Sequence, residues 1–185
     1  GDLIKSAKAE PGKISYGSWG VGSPGHLGGE WLDYLTGSKM THVPYREVSQ
    51  LFTSVANGDP SWSFASLPSS QGIYKSGKIR YLAVAAPKRI AQMPDVPTVA
   101  EAGGPAELDV NSFVSLLSPK GVDAAVRDKI RSDVVAVLQD PQVKEKFSTF
   151  AFQPMSFTVP EMQQFAKKKS EQYKLLIEKA QISLD

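Results

Sequence analysis

The amino-acid sequence predicts an α/β fold, a mainly parallel sheet flanked by helices with a helical C-terminal segment after it. Three observations carry this expectation. Short β-prone apolar runs alternate with helical patterns over residues 1–85, a spacing that lets each helix carry the chain back between parallel strands. Glycine and proline punctuate the junctions between these patterns. Apolar residues make up 41% of the 185 and charged residues 22%, which is enough for a globular core.

In chain order, Asp2 is placed to cap a short helix through Ala9, with Leu3, Ile4 and Ala7 on one face. Pro11-Gly12 ends it, and Lys13–Gly17 reads as the first strand. The small-residue loop Ser18–Gly25 leads into a helix whose Leu27, Trp31, Tyr34 and Leu35 share one face, and Gly37 stops it. Met40–Val43 is a second strand closed by Pro44. Glu47–Asn57 is a helix with Leu51, Phe52 and Val55 inward and Gly58 at its C′ position. A short strand Trp62–Ala65, a helix Pro68–Lys75 followed by Gly77, and an apolar strand Ile79–Ala85 continue the pattern. Pro87, Pro94, Pro97 and Pro105, with Gly103 and Gly104, then mark an irregular connection holding one short helix near Thr98–Ala102. Asp109–Leu117 reads as another strand.

From Val122 the chain reads as helical. Asp123–Gln139 places Val126, Ile130, Val134 and Val137 inward, and Pro141–Phe150 follows. After an extended piece at Phe152–Met155, Thr158 caps the last helix, with Glu161 at the capping-box position and Pro160 in its first turn. This tail has no sheet of its own, so a boundary is expected near residues 105–120.

Composition removes several function classes. The net charge of +2 arises from 21 basic and 19 acidic residues spread along the chain, which leaves no broad footprint for nucleic acid or membrane. The run Lys167-Lys168-Lys169 has Glu171 and Glu178 nearby and reads as a solvated helix face. Without cysteine there is no disulfide, thiol nucleophile or thiolate metal site. Two histidines without a carboxylate cluster argue against a metal, and no cofactor is expected. No serine lies in a Gly-x-Ser-x-Gly elbow. No apolar run approaches the roughly 20 residues that span a bilayer. The chain opens at Gly1-Asp2, already at a helix start and without a signal peptide, as a mature or trimmed product would.

The segment Tyr16–Gly29, between a strand and a helix, carries the chemistry. Backbone N–H groups are unpaired at a helix start, and the helix dipole presents about half a positive charge there. Glycines at 20, 22 and 25 let backbone approach a ligand, and Ser18 and Ser23 add hydroxyls. Such a loop is an anion site that needs no lysine or arginine. Gly20-x-Gly22-x-x-Gly25 also matches the dinucleotide fingerprint. In that motif the first glycine follows the strand almost directly, whereas Gly17-Ser18-Trp19 intervene here. The acid expected downstream would be Glu47, which reads better in the first turn of the next helix.

Tyr-Gly-Ser-x-Gly-x-Gly-Ser-x-x-His-Leu, here Tyr16 to Leu27, resembles the substrate-binding proteins of tripartite tricarboxylate transporters, the TctC or Bug family. The resemblance continues through Met40-Thr41-His42-Val43-Pro44-Tyr45-Arg46 and Ser76-Gly77-Lys78-Ile79-Arg80-Tyr81-Leu82-Ala83-Val84. Pro94-Asp95-Val96-Pro97-Thr98-Val99-Ala100-Glu101-Ala102-Gly103, Leu117-Ser118-Pro119 and Asp140-Pro141-Gln142-Val143 extend it over nearly the whole chain. It implies a lobe of the type II periplasmic binding protein kind, in a protein that closes on an organic acid and delivers it to a membrane permease. Residues 1–110 correspond to lobe two, the ligand-binding lobe. Residues 111–185 correspond to a hinge-crossing strand and helices that complete lobe one, whose N-terminal portion is not in this sequence.

The resemblance further implies a periplasmic location, no catalysis, and a carboxylate held by Ser18, Trp19, Gly20, Val21, Gly22, Ser23, His26, Ala65 and Ser66. Where the family often has acids, Ser61 and Ala65 stand; Ala65 leaves an amino group on the ligand without a partner, which favours a simple carboxylate. His26 is expected to brace the helix start more than to touch ligand, and His42 to be structural. Trp19 is placed to wall the pocket, with Trp31 and Trp62 in the core. The second reading is a nucleotide-dependent enzyme fragment using Gly20–Gly25. A homodimer is expected if the first lobe is truly absent, since the helices from Asp123 onward would otherwise leave apolar faces uncovered.

Overall fold

Three short parallel strands organise the first part of the chain: β1 (Ser15–Ser18), β2 (Thr41–Pro44) and β3 (Trp62–Ser63). The computed structural model describes residues 1–108, 110, 113–155 and 157–182. The strand order is β2-β1-β3, with Tyr16 opposite His42 on one side and Trp62 on the other. Helix α1 (Asp2–Ala9) precedes the sheet, α2 (Pro24–Thr36) joins β1 to β2, α3 (Val48–Ala56) joins β2 to β3, and α4 (Leu67–Lys75) follows.

Because β2 and β3 lie on opposite sides of β1, right-handed crossovers put α2 and α3 on opposite faces of the sheet. Alternation along β1 agrees with this. Tyr16 packs against Gly29 of α2, and Gly17 lies against Leu51 of α3. The core on the α2 side gathers Ala7, Tyr16, Leu32, Met40, Trp62 and Leu108. Asp33 ties the end of α2 to β2, its carboxylate accepting from the Met40 N–H and the Ser38 hydroxyl, each at 2.6 Å. Mixed α/β architecture with a parallel sheet between helices is therefore present as expected.

The chain divides into two compact units, Gly1–Asn111 with Ala166–Asp185, and Ser112–Phe165. In the first, Gln172, Tyr173 and Leu176 of α7 (Val159–Ala180) lie beside Leu27 and Trp31 of α2. In the second, α5 (Ala124–Gln139) and α6 (Pro141–Thr149) are joined through Asp140. Asp140 closes α5 and caps α6, accepting from the N–H groups of Gln142 and Val143. Thr158 and Glu161 form the expected capping box of α7, the Thr158 N–H reaching Glu161 Oε2 at 2.7 Å.

Several elements depart from the sequence reading. Asp2 lies inside α1, and its side chain does not cap the helix; Gly1 holds the N-cap position. The predicted strand Ile79–Ala85 reduces to one bridge, Val84 with Thr98. Its neighbouring segment contains Pro94 and Pro97, which offer no N–H to extend a ladder. Thr98–Ala102 forms a single turn, closed by reciprocal Thr98–Glu101 hydrogen bonds and ended at Gly103. Of Asp109–Leu117, Asp109, Asn111 and Ser112 lie outside the described residues, and the remainder pairs with no described strand. Phe152–Met155 is likewise unpaired. The α5 face expected inward is exposed, from 39% at Val134 to 57% at Val137, and Tyr34 of α2 is exposed as well. Helix α6 contacts α5 yet leaves that face exposed, so periodicity alone could not bury it.

Candidate functional site

In a parallel sheet all carboxyl ends share one edge. The loops after β1 (Trp19–Ser23), β2 (Tyr45–Glu47) and β3 (Phe64–Ser66) therefore lie along the same edge of the first unit. The chain reverses its direction of strand addition between β1 and β3, and ligand crevices of open α/β sheets form at such switch points. Ser18–Ser23 and Ala65–Ser66 flank that point.

The β1–α2 loop is held by its own polar groups. Gly20 and Gly22 have φ of +121° and +75°, a region that side chains other than glycine adopt only with strain. The Gly20 carbonyl accepts from the hydroxyls of Ser18 (3.0 Å) and Ser23 (2.7 Å) and from the Ser23 N–H (3.2 Å). Ser23 also caps α2, its Oγ accepting from the His26 N–H at 3.3 Å. Ser18 is fully buried, and its Oγ lies 2.7 Å from Nε2 of His42. Both serine hydroxyls are thus engaged within the loop. Trp19 is half-buried; its indole stands 2.9 Å from where a Cβ on Gly25 would be. At Gly25 the close approach is made by that indole.

Behind the loop lies a buried polar cluster. His26 is 6% exposed, and its Nδ1 accepts from the Gly22 N–H at 3.0 Å. Its ring stacks on that of His42 with centroids 3.8 Å apart, and its Nε2 stands 3.8 Å from Oε1 of Glu30. Tyr16 donates its hydroxyl to the same Oε1 at 2.6 Å. Burial keeps both imidazoles neutral, drawing His26 below the usual histidine range and His42 down to about 4, with His26 adding to the effect on His42. Burial also pushes the Glu30 carboxyl up, and Asp33 adds to that while the Tyr16 hydrogen bond opposes it. The Tyr16 phenol is raised by burial and by Glu30.

Three backbone donors are left over. Among the described residues, the N–H groups of Trp19, Val21 and Gly25 have no intrachain acceptor; Val21, which is exposed, and Gly25 are the two nearest the helix. They stand at the start of a 13-residue helix, where the dipole favours negative charge. Ala65 and Ser66 are exposed; Ser66 sits at the N-cap of α4 with its hydroxyl donating to Ser69 Oγ at 2.8 Å, and neither residue hydrogen bonds to the β1–α2 loop. Among the described residues no group of three or more His, Asp or Glu side chains is arranged to hold a metal ion.

The structure corrects one argument made from spacing. The strand continues through Ser18, so only Trp19 separates it from Gly20, and distance from the sheet does not count against a dinucleotide loop. Glu47 does stand at the N-cap of α3. Sequence reasoning passed over Glu30 and Asp33. The signal for Glu30 was its i, i+4 spacing from His26.

A model of the tripartite tricarboxylate transporter family receptor matches residues 1–182. A Cupriavidus necator protein, the UPF0065 protein in the gbd 5′ region, is 31% identical over 178 residues, 96% of this chain and 54% of that one. Rpa4515 of R. palustris, solved with adipate, superposes with a TM-score of 0.82 at 28% identity, covering 98% of this chain and 60% of that one. A solved periplasmic transporter superposes with a TM-score of 0.76 at 35% identity, covering 100% and 61%. The chain spans about half the length of the curated relatives it matches.

Proposed function

The chain belongs to the tripartite tricarboxylate transporter family of receptors, and on that premise we propose that it serves as an extracytoplasmic solute-binding protein for a small organic carboxylate. In this reading it works in the periplasm and passes its ligand to the membrane permease of a tripartite tricarboxylate-type transporter. The observation that carries the reading is the pair of unengaged N–H groups, Val21 and Gly25, at the start of α2 on the carboxyl edge of the sheet. A carboxylate oxygen accepts from such donors without an arginine or lysine beside it, and a charge-assisted bond of this kind is about twice as strong as a neutral one. Ser18, Gly20, Gly22 and Ser23 shape the loop, Trp19 walls one side, His26 braces it from behind, and Ala65 and Ser66 face it from the end of β3. The adipate of a 28%-identical structural neighbour supports the ligand class.

Nothing in this role requires catalysis. Calorimetric titration of the full-length chain with mono- and dicarboxylates is the test, alongside NAD(P)H fluorescence titration for the nucleotide reading of Gly20–Gly25. Heat from a carboxylate with no NAD(P)H response is expected. An NAD(P)H response without carboxylate binding would overturn the proposal.

A further inference from the structure

His26 lies within the ligand motif yet is shut away from ligand. Only 6% of it is exposed, one ring face is covered by His42, and Nδ1 already accepts the Gly22 N–H. We propose that His26 and Glu30 are positioning residues of the anion loop: Glu30 holds the proton of His26 on Nε2, and the free Nδ1 pins Gly22, so that protonating His26 releases the loop. The inference deepens the carboxylate-binding reading above and rests on it for its functional consequence.

The geometry fixes the tautomer. An Nδ1 that accepts from a backbone N–H carries no proton, so the ring proton of neutral His26 sits on Nε2. That nitrogen faces Oε1 of Glu30 at 3.8 Å, an electrostatic approach longer than a hydrogen bond. The same Oε1 is held in place by the Tyr16 hydroxyl. A chain of named contacts therefore runs from the core of the sheet through Tyr16, Glu30 and His26 to the backbone of Gly22, next to the Val21 donor. Gly22 sits at φ +75°, and Nδ1 is the acceptor on its N–H.

A second proton on His26 would turn Nδ1 into a donor aimed at another donor. Three titratable groups stand against it. His42 on β2 is stacked on the ring and, itself kept neutral, offers it no counter-charge. Tyr16 on β1 keeps its phenol protonated. Glu30 on α2, 3.8 Å from Nε2, is engaged by Tyr16 and disfavoured as an anion by burial. Burial outweighs the Glu30 carboxyl 3.8 Å away, and His26 is lowered. The loop is therefore intact above the ordinary histidine range, near pH 6.5, and is released as acid protonates His26 below it.

The test uses the full-length chain labelled with ¹⁵N histidine and glycine, and adipate as the probe. At neutral pH the His26 spectrum should show Nδ1 bare and Nε2 protonated, with the Gly22 amide shifting in step with His26 protonation. A protonated Nδ1 at neutral pH, or a Gly22 amide indifferent to that titration, overturns the proposal without any variant. His26→Asn sets an amide oxygen where Nδ1 stands and cannot titrate. It should bind adipate more tightly than His26→Phe and lose the acid dependence, whereas His26→Phe should lose about tenfold, the scale of one hydrogen bond. Retained acid dependence in His26→Asn would count against His26 as its source. Glu30→Gln should give a mixed tautomer; an unchanged one removes Glu30 from the mechanism. If the wild type binds no carboxylate at neutral pH while Gly22 still reports on His26, the positioning stands and the carboxylate-binding reading fails.

Discussion

Around the Gly20 carbonyl, three donors from two serines converge, and the loop is a self-supporting turn before any ligand arrives. Removing the Ser23 hydroxyl deletes one of these and the cap of α2 together. Ser23→Ala is expected to cost about 1 kcal/mol in urea denaturation. Gly22→Ala adds a side chain at φ +75°, which should cost roughly 1–2 kcal/mol and weaken carboxylate binding as the Val21 donor is displaced. His42 supplies a pH dependence of stability. Its folded value, about 4, lies below that of the unfolded chain, about 6.5, so the unfolded state takes up the proton first. Stability present above pH about 6.5 is therefore lost as pH falls toward about 4. Urea midpoints measured across this window should fall with acid, and His42→Asn should flatten the slope.

Among the helices, α2 is the one whose packing and function meet. Its Gly25, Gly28 and Gly29 form a flat side that admits Trp19, Phe64 with Val110, and the Tyr16 ring. Gly28 and Gly29 belong to the motif that suggested ligand contact, yet both are buried and their neighbours are core side chains. A methyl at Gly29 would overlap the Tyr16 ring, whose hydroxyl is anchored to Glu30. Gly29→Ala is expected to destabilise by roughly 1–3 kcal/mol, read by thermal or chemical denaturation. The same change would disturb the Tyr16–Glu30–His26 line and so the loop in front of it. In the second unit Asp140 caps α6 where α5 ends.

The whole molecule presents two contrasting units. The first buries a core around Tyr16, whereas the second exposes Val114, Leu116 and Leu117 at 94%, 72% and 84%. Apolar surface of this kind marks a face that another surface covers. We expect the 185-residue chain produced alone to self-associate, and light scattering showing a monomer would refute this. Its ligand affinity should also be poor. Two or three charge-assisted hydrogen bonds contribute roughly 3–9 kcal/mol gross, and lost ligand freedom takes back at least about 4. That leaves binding near millimolar, since 1 mM corresponds to about −4.1 kcal/mol. Micromolar calorimetric affinity of this chain for a carboxylate would contradict the estimate.

Local physical rules decided much of this protein in the sequence itself. The cap at Thr158, the stop at Gly37, and the alternation that makes the sheet parallel all depend on neighbours a few residues away, and they stand where the sequence puts them. The Tyr16–Gly29 motif likewise identified the strand–loop–helix turn. What pairs across long distances was decided only in three dimensions. A run such as Ile79–Ala85 has strand propensity, but a ladder needs a neighbour with free N–H groups, and a proline-bearing segment yields one bridge. A helical face such as that of α5 is periodic in sequence, yet burial depends on what stands opposite. The same holds at the loop. Sequence placed hydroxyls and histidine in one motif, while tertiary contacts engaged both serines internally, stacked His26 on His42 from another strand, and left the donors to the Trp19, Val21 and Gly25 backbone.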